Sequence, residues 1–337
     1  MSTISDVARA AGVSVATVSR ALRGLDRVSP ETRDRVARAA RELNYVASPT
    51  ATSLASGRTR IVGVAAPFLT RWFFATLVSS IEKALRARGH HVLLLDLEDG
   101  SDEGRMPLSR SMLWKRVDGL IALNIPFTDQ ERALLDRMGL PVVTVGNRLP
   151  GWPSVRIDDV QATRTAVEHL IDLGHTELGY VGAVPRAFAH LQTPKERLLT
   201  FHKVLAEHGL RLRPEWLLKS DWTAEGASRD ADRLFASGNL PTGMVAGSDE
   251  MAVGVLSAAQ RHGVRIPQDV SLVGIDDFSL SAVMGLTTVR QDVAVQGRAA
   301  GETLLALLAD HDVDPETDII LPTELVVRST TGPPRHR

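Results

Sequence analysis

The chain has 337 residues, of which 44% are apolar and 23% charged, and it has no cysteine. This composition gives material for more than one globular core and excludes disulfides, thiolate metal sites and cysteine nucleophiles. The net charge of −1 conceals a basic head: residues 1–60 hold ten arginines and five acids, a net of +5, so the remainder carries −6. An arginine-rich head suits a polyanion because guanidinium groups displace counterions condensed on phosphates, the alternative being a solvated arginine-rich helix. The N-terminus lacks a basic segment followed by an apolar run. The longest apolar stretches, 61–69 and 91–95, are far shorter than the roughly 20 residues of a membrane helix. A cytoplasmic protein without a membrane partner is expected.

Along the head, Thr3-Ile4-Ser5-Asp6 has the form of a capping box, and Ile4, Val7, Ala8 and Ala11 follow at helical spacing. Gly12 suits the left-handed end of that helix, Val13 an apolar plug, and Ser14 the cap of a second helix over 15–22. Ser29 and Pro30 open a third, with Val36, Ala40 and Leu43 as its apolar face. Two short helices joined by a glycine turn are a helix-turn-helix, whose second helix enters the major groove. On it Val18, Ala21 and Leu22 are expected to pack inward, with Val15, Ala16, Thr17, Ser19 and Arg20 toward the exposed side. Arg20 can donate a pair of hydrogen bonds to guanine, the hydroxyls suit phosphates, and Val15 and Ala16 suit thymine methyls. A structural hairpin without DNA contact is the alternative the pattern leaves open.

From residue 60 the pattern alternates buried strands and helices. Strands are predicted over 61–66, 91–95, 119–123, 142–145, 178–182, 243–246 and 271–275, with a further segment near 217–218. Helices are predicted over 73–88, 129–138, 160–173, 195–208, 225–237 and 249–262, and another before Val117. Short apolar runs separated by helices mean parallel sheets, and two such series mean two doubly wound subdomains. Their ligand site lies at the carboxyl ends of the strands, in the crevice between the halves. Neither a G-x-G-x-x-G nor a Walker sequence is present.

Residues 3–22 resemble the DNA-binding head of the lactose-repressor (LacI/GalR) family almost position for position. The likeness continues through Val28-Ser29-Pro30-Glu31-Thr32-Arg33, Leu43-Asn44-Tyr45 and Ser53-Leu54-Ala55-Ser56-Gly57-Arg58-Thr59. Further markers include Val117-Asp118-Gly119-Leu120-Ile121, Ser248-Asp249-Glu250-Met251 and Ile266-Pro267-Gln268-Asp269, so the resemblance spans residues 3 to about 330. It implies a small all-α helix-turn-helix head plus hinge helix, and an α/β periplasmic-binding-protein-like core of two doubly wound parallel-sheet subdomains. The implied boundaries are a head over 1–46, a hinge over 47–59, a core over 60–330 and a tail over 331–337. Within the core, one subdomain takes about 60–160 and 291–319, the other about 161–290 and 320–330.

The resemblance also implies site residues. Thr3, Ser14, Val15, Ala16, Thr17, Ser19, Arg20, Ser29 and Tyr45 fall in the DNA interface, and Leu54 corresponds to a wedge in the minor groove that kinks a base step. The effector site takes Trp72, Phe73, Asp158, Arg197, Trp222, Ser248 and Asp276. Flat aromatic faces, a guanidinium fork and an acid are what a sugar-like ligand requires. From the residues alone, Arg197 can equally be a surface charge, Trp222 a core residue and Asp276 a strand-end cap. Thr200 stands where relatives usually carry glycine, and the segment 183–196 is longer than theirs.

The implied function is a transcription regulator, a repressor, binding pseudo-palindromic double-stranded operator DNA as a homodimer under control of a sugar or sugar derivative. It would be nucleoid-associated, with no catalytic residue, metal or cofactor. A solute receptor of the periplasmic-binding-protein type is the alternative, and a sugar-metabolising α/β enzyme a third reading that no phosphate-cradling loop supports.

Overall fold

The computed structural model describes residues 2–22, 26–45, 57–97, 105–182 and 192–335, and the chain divides into Met1–Arg60 and Ile61–Arg337. In the first unit Thr3 and Asp6 close a reciprocal cap on α1 (Ile4–Ala11): Thr3 Oγ1 accepts from Asp6 N at 3.3 Å and Asp6 Oδ2 from Thr3 N at 2.9 Å. Gly12, with φ of 64°, turns the chain out of that helix. Ser14 Oγ accepts from Thr17 N at the start of α2 (Val15–Leu22), and Ser29 Oγ from Thr32 N at the start of α3 (Pro30–Glu42). Val7, Ala8, Ala11, Val18, Ala21, Val36, Ala39 and Ala40 form the core, closed by Ile4, Val13, Val28, Leu43 and Tyr45. Leu22 departs from the expected inward packing and is 39% exposed. Ala21 closes that end of the core, and Leu22, the last residue of its helix, projects past it.

The second unit runs β1 (Ile61–Ala66), α4 (Trp72–Arg86), β2 (His91–Asp96), α5 (Arg110–Leu113), β3 (Gly119–Leu123), α6 (Asp129–Met138), β4 (Val142–Val145), β5 (Ser154–Ile157) and α7 (Asp159–Asp172). It continues through β6 (Leu178–Val181), α8 (Gln192–Glu207), β7 (Leu217–Leu218), α9 (Ala224–Ser237), β8 (Gly243–Ala246), α10 (Asp249–His262) and β9 (Ser271–Asp276). The last elements are β10 (Thr287–Gln291), α11 (Val293–Leu308), β11 (Asp318–Leu321) and β12 (Thr323–Val326). One sheet has the order β11-β5-β4-β3-β1-β2, the other β12-β10-β9-β8-β6-β7. Each contains the doubly wound order in which a crevice opens where the winding reverses, at β1/β3 and at β6/β8.

The chain passes between the sheets three times: between β5 and α7, between β10 and α11, and through Pro322 between β11 and β12. All of β11 belongs to the first sheet and all of β10, including Gln291, to the second. The expected boundaries at 290/291 and 319/320 therefore shift to 291/292 and to Pro322. Every pairing is parallel except β12 with β10. The strands of both sheets point into one cleft, so an extended chain that leaves β11 and runs straight on enters the second sheet from its carboxyl end. It must then lie antiparallel to β10.

Five elements were not anticipated from sequence pattern: β5, β10, α11, β11 and β12. The strands β5, β11 and β12 have only four residues each, with β11 and β12 half-exposed, so no alternation develops. The helix α11 carries Gly297 and Gly301, which lower helix propensity but let it lie against α4. A Cβ at Gly297 would sit 2.7 Å from Ser80 Cβ and 2.8 Å from the Leu77 carbonyl oxygen.

The expected tail from 331 onward is in fact sewn to the second sheet through its first residues. Thr330 is buried; its hydroxyl accepts from Thr287 N and donates to the Leu272 carbonyl, both at 2.8 Å, while Leu272 N bonds to Thr330 O. The Gly332 carbonyl accepts from Ser271 Oγ at 3.0 Å and lies 2.9 Å from His175 Nε2. His175 and His169 thus serve the chain end, and burial holds both imidazoles below their usual pKa. Truncation after Ser329 is expected to lower stability by about 2 kcal/mol, from several lost hydrogen bonds of ~1 kcal/mol each partly offset by solvent. Urea unfolding at the wild-type midpoint would assign this segment no structural role. Among the described residues no helix is long and apolar enough to cross a membrane.

Candidate functional site

In the head, Ser14, Val15, Ala16 and Arg20 are exposed, and Thr17 and Ser19 half-buried. Residues four apart on a helix are neighbours, so Val15 lies beside Ser19 and Ala16 beside Arg20. Burial of Val18 and Ala21 on the opposite stripe fixes which face turns out. Thr3, Ser14 and Ser29 each accept a backbone N–H of the helix they start, while Tyr45 is half-buried against the core. Leu54, and the hinge over 47–56, lie outside the described residues.

In the second unit a cavity of about 90 Å³ opens between the carboxyl ends of the two sheets, room for roughly six to nine waters. From the first sheet come Phe68 after β1, Asn124 after β3 and Gly146 after β4, with Arg71, Phe73 and Phe74 around the start of α4. From the second come Asp159 opening α7, Thr193 and Arg197 on α8, Trp222 before α9, Ser248 and Glu250 around the start of α10, and Asp276 and Gln291 ending β9 and β10. Gln296 on α11 completes the lining.

Arg197, with 4% of its surface exposed, is the centre of this wall. Its Nε donates to Asp159 Oδ1 at 2.7 Å, one terminal nitrogen approaches the same oxygen at 2.7 Å, and the other donates to the Gly247 carbonyl at 2.5 Å. Burial disfavours the cation, but Asp159 and Asp276 outweigh it and raise the guanidinium pKa. These bonds use three of five N–H groups, leaving two for a ligand. Trp222 sits in the left-handed region (φ 62°), tied through Nε1 to the Gly182 carbonyl at 2.8 Å, with the Arg197 guanidinium 5.9 Å from its ring. The expected Ser248 caps α10, its Oγ 3.4 Å from Met251 N, and Phe73 meets Phe74 edge-on.

Asp276 has φ of 141°, an uncommon conformation that the surrounding structure must enforce. Gln291 Nε2 donates to its Oδ1 at 2.6 Å, and Gln296 Nε2 donates to Gln291 Oε1 at 2.7 Å. Burial pushes the Asp276 carboxyl up to about 7; Arg197 opposes the rise and neighbouring Asp249 adds to it. Asp249 is itself pushed up to about 6 by burial, against hydrogen bonds from Ser281 Oγ at 2.5 Å and Thr288 Oγ1 at 2.7 Å.

Two expectations are corrected. Asp158 is exposed and caps α7 by accepting from Gln161 N at 2.9 Å, so the acid that enters the cleft is its neighbour Asp159. Trp72 does not line the cavity. It packs edge-on against Phe278 at 5.8 Å, and its N–H donates to Glu250 Oε1 at 3.2 Å, contacts that join the two subdomains. Asn124, Thr193, Glu250, Gln291 and Gln296 were not singled out beforehand. Only Asn124 and Gln291 carried a signal, each a polar residue ending or following an apolar strand. Of the long segment 183–196, residues 183–191 lie outside the described residues.

Comparison with known proteins follows this division of the chain. Residues 3–48 match the model "Bacterial regulatory proteins, lacI family" and residues 167–331 the model "Periplasmic binding protein-like domain". The chain is 32% identical to catabolite control protein A of Priestia megaterium, covering 98% of this chain and 99% of that protein. It is 31% identical to the HTH-type transcriptional repressor PurR of Glaesserella parasuis, over 98% of each. A crystal structure of the lac repressor dimer bound to operator and the anti-inducer ONPF superposes with a TM-score of 0.85 at 29% identity, covering 98% of this chain and 99% of that one.

Proposed function

Because this chain belongs to the lacI family of bacterial regulatory proteins, we propose that α2 reads operator DNA through Val15, Ala16 and Arg20, and that a small sugar-like effector in the cleft controls that reading. It is a DNA-binding transcription regulator, and the relatives it matches are regulators rather than enzymes. The observation that carries the proposal is the combination of an α2 face left outside the head core with a cleft lined from the carboxyl ends of both sheets. A solute receptor would use the second and leave the first without purpose.

Arg20 is the residue for guanine, Val15 and Ala16 for thymine methyls, and the hydroxyls of Thr3, Ser14, Thr17, Ser19 and Ser29 for phosphates, with Tyr45 bracing the head. Leu54 is the wedge that kinks the centre of the site. The protein acts as a homodimer on an inverted repeat, one head per half-site. In the cleft Phe73 and Trp222 supply flat apolar faces, Arg197 donates and Asp276 accepts. Effector and operator then change each other's affinity by one common factor.

Selection by the full-length protein from random duplexes is expected to enrich an inverted repeat; enrichment of no sequence would sink the proposal. On the selected duplex Arg20→Ala should lose about 1–3 kcal/mol of affinity while binding to random DNA changes little. An equal loss on both would reduce Arg20 to a phosphate contact.

A further inference from the structure

The charges around the cavity do not balance, and their arrangement bears on what the cavity can accept. Asp159, Glu250 and Asp276 face Arg71 and Arg197, and Asp249 lies directly behind Asp276. Arg197 is committed to Asp159 and to the Gly247 carbonyl. The Arg71 guanidinium is stacked 3.8 Å over the Phe68 ring, and Glu250 already accepts the Trp72 N–H. Asp276 therefore enters the cleft without an ion pair among the described residues, held by the Gln291 amide and favoured further by the Asp249 backbone N–H.

The two glutamines fix the polarity of that contact. Gln296 donates to Gln291 Oε1, so Gln291 has its amide nitrogen left for Asp276. Both glutamines are buried, which leaves the acid as the acceptor at this end of the cleft. What completes the site must donate to it, and an anion placed there would join at least two buried acids already short of cations.

We propose that the effector is a non-acidic molecule presenting paired hydrogen-bond donors, hydroxyl or ammonium, to Asp276, and that the cleft rejects carboxylates and phosphates. The inference rests on the effector reading of the cleft given above. Donors from a ligand favour the ionised acid, so binding expels the Asp276 proton. With the carboxyl near 7, the ionised fraction and hence the affinity rise about tenfold from pH 6 to pH 8. Asp159, Asp249, Glu250 and Arg197 are the charged groups around it, and the cation stays charged throughout this range.

The test uses matched sugars with the full-length protein: D-glucose and D-galactose, D-glucosamine and D-galactosamine, D-glucuronate and D-galacturonate, and D-glucose 6-phosphate, read by thermal shift at pH 6 and pH 8. A neutral or amino sugar that stabilises more at pH 8 supports the proposal and says which donor is used. An acid that stabilises more than its neutral partner overturns it. The unliganded Asp276→Asn variant provides a reading that needs no ligand. It should melt above wild type at pH 8, with the gain shrinking at pH 5.5, because the raised carboxyl lowers wild-type stability as pH climbs toward 7. An Asn variant that gains nothing at pH 8 removes the charge imbalance and the proposal with it. Failure of the whole panel alongside the expected Asn result would reject the sugar reading and keep the non-acidic class. Enrichment of an operator is independent of both.

Discussion

Arg197→Ala is expected to destabilise the 61–337 unit by about 3–5 kcal/mol, the usual consequence of removing one partner of a buried ion pair. The guanidinium is the counter-ion of Asp159 and the nearest cation to Asp276, and it caps the Gly247 carbonyl. Alanine leaves a buried carboxylate and a carbonyl without partners in a cleft wall whose other acids are already pushed toward protonation. Urea unfolding at pH 7.5 measures the loss. Because the orphaned acids are penalised only when ionised, the deficit should shrink as pH falls toward 5. A loss below about 1 kcal/mol, or one independent of pH, would mean that water reaches Asp159 freely and that Arg197 serves the effector alone.

The second large effect lies away from the cleft, where α9 and α10 meet. Gly254→Ala is expected to lower stability by about 3–4 kcal/mol, at the upper end for overpacking. A Cβ on Gly254 would overlap the Ala224 carbonyl oxygen and sit 2.9 Å from Ser228 N. Both obstacles are backbone, so no side chain can swing aside and the helices must part. The core beneath them, which includes Ala227, Ala231, Met251 and Val255, would open with them. Gly209→Ala serves as a control, since nothing lies within 4 Å of a Cβ there although its φ of 68° carries its own strain. Equal losses at the two positions would show that backbone conformation rather than helix contact sets the cost.

The head could be read in the sequence nearly in full because its signals are local. A cap, a left-handed glycine and an apolar stripe are each decided within four residues, and all three recur in α1 to α3. The parallel strands with complete burial, such as β3 and β4, were equally plain. The cleft was only partly legible, since its residues meet through the winding of two sheets rather than through spacing. Asp158 and Asp159 show the limit: whichever residue stands at the cap points outward, and a shift of one place in the helix start exchanges them. Trp72 and Phe73 show it again, because one step along a helix turns a side chain by about 100°. Gln291 and Gln296 carry no signature at all until the crossover between β10 and α11 brings their amides together.

The three passes of the chain between the sheets also bear on how the protein is made. Neither half is a continuous piece of sequence. Strands β1 to β5 emerge early from the ribosome, yet α11, which contributes Val293, Ala300 and Leu304 to the core containing Val64, Leu77, Ile81 and Val143, comes only after the second half's parallel strands. At about 5–20 residues per second, the nascent first half carries an uncovered apolar face for several seconds before its last helix arrives. Its edge strand β11 follows later still, and β12 closes the second sheet a few residues afterwards. The two halves therefore reach completion almost together at the end of synthesis, and a chain interrupted before residue 293 releases neither as a finished domain.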